Sequence, residues 1–146
     1  MAQLGDTIIK GDLNVIGNIN GGQHILWRDI GGSYMHGSQI ANLSQKISEQ
    51  NNGIVLLFQP YDNTNNVPYP KEYQLYFIPK IEIATIGEGM GHTFMIWGDD
   101  FGLRATKYLY IYNNKIVGFG NNDKTLTIDG KSVNNRDAVL TAVFGV

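Results

Sequence analysis

Lys107-Tyr108-Leu109-Tyr110-Ile111-Tyr112, then Asn113-Asn114, then Lys115-Ile116-Val117-Gly118-Phe119: this run decides the fold class. The tyrosines take one parity, and Leu109 and Ile111 take the other. That is the period-2 alternation of a strand with one wet face. Asn113-Asn114 is a two-residue turn that sends the chain straight back as a second strand.

The same grammar extends in both directions. Thr125-Leu126-Thr127-Ile128, Asp129-Gly130, Lys131-Ser132-Val133 is a second hairpin with a type I′ turn pair. Ala138 to Val146 is a closing apolar strand, which puts the C-terminus at a tip or packs it inward. Upstream, Thr93 to Trp97 is a strand running into a Gly98-Asp99-Asp100 corner. Tyr73 to Ile78 is another, and Pro79 ends its pairing on that side. Ile81, Ile83 and Thr85 alternate with Glu82 and Ala84 as a strand would. Asn52-Gly53 signals a turn, and the unbroken run Ile54-Val55-Leu56-Leu57-Phe58 reads as a strand covered on both faces. His24 to Trp27 and Ser33 to Met35 are short strands split by Gly31-Gly32, and Gln39 to Leu43 alternates weakly. Ser38 to Gln50 is the best helix candidate, with Gly and Asn flanks against it. About ten short strands at this spacing imply an all-β fold, a β-sandwich of jelly-roll-like kind over residues 23–146.

Composition agrees. Hydrophobic residues make up 42% of the 146 and charged residues 16%, with 18 glycines and no cysteine. One folded domain is expected, without disulfides or thiolate metal sites. A formal net charge of −2 leaves no basic stripe for nucleic acid and no polybasic membrane footprint. No apolar run is long enough to span a membrane, and the first residues lack the basic start and apolar stretch of a secretion signal. Release by cell lysis is one way such a protein reaches the outside.

Residues 1–22 form a separate segment with a six-residue near-repeat: Gly5-Asp6-Thr7-Ile8-Ile9-Lys10, Gly11-Asp12-Leu13-Asn14-Val15-Ile16, Gly17-Asn18-Ile19-Asn20. Ile9, Leu13, Val15 and Ile19 share one parity. So thin a ribbon cannot bury that stripe against itself. Three copies around an axis would hide it and close the strand edges. The alternative is an edge hairpin folded back on the main domain.

Catalytic and metal patterns are weak. His24, His36 and His92 are scattered without ligand spacing, and Asp99-Asp100 lacks the further acids of a calcium loop. No serine sits in a Gly-x-Ser-x-Gly elbow, and Glu82, Glu88, Asp99 and Asp100 cannot be paired across a cleft from spacing alone. Gly87-Glu88-Gly89-Met90-Gly91 lacks the strand-to-helix context of a phosphate loop. No cofactor, metal or catalytic residue is therefore expected. The aromatics carry more. Tyr108, Tyr110 and Tyr112 suit packing or a sugar platform, because apolar sugar faces stack on rings. Trp97 beside Asp99 and Asp100, and Tyr61, Asn63, Asn65, Asn66 and Tyr69 in a polar loop, combine rings with hydrogen-bonding groups in the same way. Tyr61, Asn63, Tyr69, Trp97, Asp99 and Asp100 are the candidate ligand-binding residues.

The Gly-Asp-x-x-Val-x-Gly type segment leads into Leu26-Trp27, Tyr34-Met35, Leu43-Ser44, Ile47 to Gln50 and Asn52 to Leu56. Phe77-Ile78-Pro79-Lys80, Lys107 to Ile111 and the terminal Val139 to Val146 follow. Together these resemble the C-terminal heads of tail-fibre and baseplate receptor-binding proteins of tailed phages. The resemblance implies a homotrimer carried in the virion tail among other tail and baseplate proteins. It also implies a host cell-wall saccharide as target, with no catalytic motif to transfer. The chain lacks the sizeable shoulder of a full receptor-binding protein. A purely structural virion part (collar, spacer or baseplate decoration) and a glycan-cleaving tail enzyme are the competing expectations.

Overall fold

The computed structural model describes residues 24–70, 72–100 and 102–146. Along the chain come β1 (His24–Ser33), β2 (Ile40–Asn42), β3 (Gly53–Asp62), β4 (Val67–Pro68), β5 (Gln74–Pro79) and α1 (Lys80–Thr85). Then follow β6 (Met90–Trp97), β7 (Leu103–Tyr112), β8 (Lys115–Val117), β9 (Thr125–Ile128), β10 (Lys131–Asn134) and β11 (Ala138–Gly145). Every pairing is antiparallel. One sheet runs β1-β11-β3-β5, with β4 clipped to the far end of β3; the other runs β2-β8-β7-β6, and β9-β10 is a hairpin apart.

The fold is an all-β sandwich because each long strand alternates in the same sense. On β3, Ile54, Leu56 and Phe58 point inward; on β7, Ala105, Leu109 and Ile111 do so. These rows meet Leu26, Ile78, Phe94, Ile96, Ile116, Leu140 and Val143 in one core. Phe58 anchors it, fully buried, with Phe94 and Tyr76 rings 5.4 and 5.9 Å away. First and last described strands lie side by side, while β6, β7 and β8 form a plain meander within one layer. The C-terminus packs inward at the carbonyl of Val146, which accepts from the backbone of Asn52 and Gly53.

Both hairpins fall where the sequence puts them. Asp129 and Gly130 have φ of 49° and 75°, the left-handed pair that a type I′ turn requires. Elsewhere tertiary contacts decide. Gly31-Gly32 does not split the first strand; β1 passes through it with an irregular register between Arg28 and Ser33. Ser38 to Gln50 forms no α-helix. It holds β2 and a 3-10 turn at Ile47–Glu49, whose Ile47 is drawn into the core. Residues 80–85 form α1, not a strand. Pro79 caps it in an extended conformation, and the Lys80 amide and ammonium donate to the carbonyls of Asn52 and Gln50. Five alternating residues fit either period, and these bonds choose the helix. The loop at Tyr61 to Pro70 is shorter than read, since β3 and β4 occupy both its ends.

The run Ile54 to Phe58 also departs from expectation. Its inner residues are buried, but Val55 and Leu57 on the other face are only half-covered. Ile9, Leu13, Val15 and Ile19 lie outside the described residues.

Candidate functional site

Trp97 ends β6 at a register shift and is 47% exposed. The Gln74 side chain of β5 fixes its backbone, accepting from the Trp97 amide at 3.2 Å and donating to the Trp97 carbonyl at 2.9 Å. This pair of hydrogen bonds ties the edge of one sheet to the edge of the other. On one side of Trp97 lies a recess of about 340 Å³ lined by Pro60, Glu72, Tyr73, Gln74 and Asp99. On the other side a recess of about 510 Å³ takes in Met95, Asp100, Leu103, Asp129 and Lys131.

Charge gathers at the same corner. The Arg104 guanidinium stands 3.6 Å from Asp99 and 3.8 Å from Glu72. Asp100 is partly committed to its own turn, accepting from the Gly102 amide at 3.0 Å, while Gly98 donates to the Gly102 carbonyl across it. Asp99, Asp100, Arg104 and Asp137 share a further recess of about 340 Å³. Burial pushes the Asp137 carboxyl up, and the Arg104 charge and amide bonds from Asn63 and Asn134 pull it back. The Asp99 and Glu72 carboxylate oxygens beside Arg104 are acceptors that could take hydroxyl hydrogens. Two aromatic residues, Trp97 and Tyr73, supply apolar area beside them. Rings flanked by carboxylates, an amide and a guanidinium suit a polyhydroxylated ring compound: stacking on one face, hydrogen bonds at the rim.

The six sequence candidates therefore divide. Trp97, Asp99 and Asp100 come together. Asn63 reaches the same end through Asp137, donating to it at 2.8 Å. Tyr61 instead packs edge-on against Tyr34, ring centroids 5.2 Å apart, and burial raises its hydroxyl pKa. Tyr69 is exposed but lines none of these recesses. Sequence reasoning missed Glu72, Tyr73, Gln74, Arg104 and Asp137. The cluster Glu72-Tyr73-Gln74 carried the right mixture of types, yet nothing local shows that it faces the turn after β6.

A second aromatic surface lies on the outside of β6-β7-β8. Tyr108, Tyr110 and Phe119 meet edge to face, with centroids 5.1 to 6.3 Å apart. Gly91 on β6 and Gly89 in the turn before it leave the space that the Tyr108 and Tyr112 rings fill; a Cβ at Gly91 would collide with the Tyr108 ring and hydroxyl. Beneath this surface is a buried polar knot. Lys107, fully buried on the inner parity of β7, donates to the carbonyls of Asn135 (2.5 Å), Asn122 (2.7 Å) and Tyr34 (3.3 Å). Asn122 accepts from the Tyr108 amide and donates to the carbonyls of Met35 and Tyr108, while Asn135 accepts from the Thr106 amide and hydroxyl. Burial pushes the Lys107 ammonium down to about 7, against the pull of the Asp123 and Asp137 carboxylates. Three carbonyls from three segments make it a staple for the loops around β7.

Among the described residues no group of three or more His, Asp or Glu gathers as a metal site would need. No helix among them is long and apolar enough to cross a membrane. Comparison with protein-family models, curated proteins and solved structures finds no match to the chain.

Proposed function

We propose that the chain is a non-enzymatic attachment module of a tailed phage's tail fibre or baseplate, a homotrimer that binds host-surface saccharide. Carried in the virion, it neighbours other tail proteins and takes no cofactor. The observation that carries the saccharide part is the corner where Trp97 and Tyr73 stand beside Asp99, Glu72, Arg104 and Gln74. These residues come from three separate segments, and two hydrogen bonds from the Gln74 side chain fix the Trp97 backbone beside them. The recess is open and shallow, which suits weak single contacts multiplied by three copies on one particle.

The test is retention of the full chain on purified host cell walls and on a glycan array, beside the Trp97→Ala and Asp99→Ala variants. Retention that falls in both variants supports the reading. Incorporation into particles with no affinity for walls or glycans would replace it with a purely structural role. Release of reducing sugar from the walls would replace it with a glycan-cleaving one.

A further inference from the structure

We infer that the saccharide held at Trp97 is a chain of linked sugars, and that a second, uncharged sugar residue of the same chain lies in a recess at Tyr108, Tyr110 and Phe119. The inference rests on the saccharide part of the proposal above and deepens it. It is independent of the homotrimer part.

Strand register opens this second recess. β8 pairs with β7 only from Tyr110 to Tyr112, and the chain leaves the sheet after Val117. Gly118 then passes so close to the Met35 carbonyl that a Cβ there would collide with it. Upstream of Tyr110, two buried asparagines take the edge of β7 that β8 has left. The Asn122 side chain accepts from the Tyr108 amide and donates to the Tyr108 carbonyl, both at 2.8 Å, and Asn135 accepts from the Thr106 amide at 2.8 Å. The backbone of β7 is thereby satisfied without a neighbouring strand on that side. A hollow of about 290 Å³ stays open there, walled by Thr93, Tyr108, Tyr110, Phe119, Asn121 and Leu126.

The lining selects the ligand. Three rings meeting edge to face supply apolar area. The hydroxyls of Tyr108, Tyr110 and Thr93 and the side-chain amide of Asn121 make no hydrogen bond to any described residue. No charge is left to offer: Lys107 reaches the hollow, but its ammonium is taken by three carbonyls. Rings with open hydroxyls, an amide and no free charge suit an uncharged pyranose, its C–H face on the aromatics and its hydroxyl or acetamido groups at the rim. The volume lies near the lower bound of small-molecule sites, about 300 Å³, which is room for a single sugar residue.

Two strands lead from this hollow to the corner at Trp97. On β6 the outward row is Thr93, Met95 and Trp97. Thr93 lines the tyrosine recess, while Met95 and Trp97 line the larger recess of the corner. On β9 Leu126 lines the first recess and Ile128, two residues on, lines the second. Residues of one parity therefore pass from recess to recess on both strands. Thr93 and Trp97 are four positions apart, about 13 Å at the rise of a strand, further than one pyranose ring reaches. Linked sugars span that distance, with Met95, about half exposed, between the two subsites.

The experiment titrates the full chain with saccharide released from purified host cell walls and sorted by length, from monosaccharide to longer oligomers, with calorimetry as the readout. Thr93→Arg fills the second recess from an exposed strand position, and Asn121→Ala removes an amide from its rim. Thermal melting checks both folds. Wild-type affinity should rise roughly tenfold or more between the monosaccharide and oligomers long enough to reach both recesses. Thr93→Arg should erase that rise and keep the monosaccharide affinity, whereas Trp97→Ala should lower both. If Thr93→Arg does not fold, Asn121→Ala is read in its place, with a smaller loss confined to the long oligomers. Affinity that ignores length overturns the inference, and so does a folded Thr93→Arg protein that binds long oligomers like the wild type. Retention on walls that proteinase abolishes and periodate leaves would make the occupant a peptide and overturn it together with the saccharide reading. Binding that needs Trp97 but neither Thr93 nor Asn121 fails this inference alone.

Discussion

The two outer faces of the sandwich obey one rule of alternation and end in opposite chemistry. On β1-β11-β3-β5 the outward residues include Leu75, Phe77, Val55, Leu57 and Phe144, with Gln59 and Thr141 as polar members and Arg28 and Asp29 at the β1 rim. On β2-β8-β7-β6 they include Tyr108, Tyr110 and Tyr112, whose rings pack on one another or over glycine while each carries a hydroxyl. On the second face Gly91 and Gly89 leave the space that tyrosine rings occupy, while Met95 and Trp97 stay about half exposed. The first face has no such arrangement; its side chains stand out from the sheet.

The largest expected effect lies beneath the tyrosine face. Lys107→Met leaves three buried carbonyls without their ammonium donor, at about 1–3 kcal/mol for each unsatisfied group. Denaturant unfolding should show a loss of roughly 3 kcal/mol or more. The same residue sets a pH signature. Its pKa is 10.5 unfolded and about 7 folded, so between those values the unfolded chain binds the extra proton. Stability from this group is therefore fully present above 10.5 and is lost as pH falls through 7, and the variant should lack that rise. A variant with wild-type stability and slope would show that the knot does not anchor the face.

Gly91→Val should cost less, about 1–3 kcal/mol, because the new side chain must displace the Tyr108 ring. Tyrosine fluorescence and melting temperature should move together. No change in either would mean that the rings are not held flat by the glycines, and the contrast between the faces would weaken.

At the corner between the faces, Trp97→Ala should lower single-site glycan affinity by roughly tenfold with melting unchanged within about 0.5 kcal/mol. For the proposed trimer, retention on a multivalent surface should fall further, since three weakened sites act together.

The smallest effect on folding is expected at the apolar face itself. Phe77→Glu should shift unfolding stability by no more than about 0.5 kcal/mol. A large loss there would show that Phe77 belongs to the subunit's own core, and the two faces would cease to differ in kind.

Much of the candidate site was legible as residue types. Trp97 beside Asp99-Asp100 could be picked out because an aromatic ring at a strand end, next to acids in a turn, is a local pattern. Tyr61 fails for a tertiary reason: Tyr34, 27 positions earlier, packs against its ring. Arg104 and Gln74 escaped because their roles exist only across sheets, between residues that share no sequence neighbourhood. Lys107 was in view as the first residue of the clearest strand, and its parity matched Leu109 and Ile111. Charge argues for solvent at such a position until three carbonyls from distant loops are brought within reach.

Alternation and turn chemistry by themselves determined the all-β class, the two tight hairpins and the inward row of β7. Those are properties of neighbours one or two residues apart, where backbone geometry acts directly. The helix at 80–85, the burial of Lys107, the gathering of Glu72, Tyr73 and Arg104 around Trp97, and the bareness of one outer face were decided only by tertiary structure. Each depends on which distant segment supplies a hydrogen bond, a charge or a covering side chain, and local sequence carries no record of that choice.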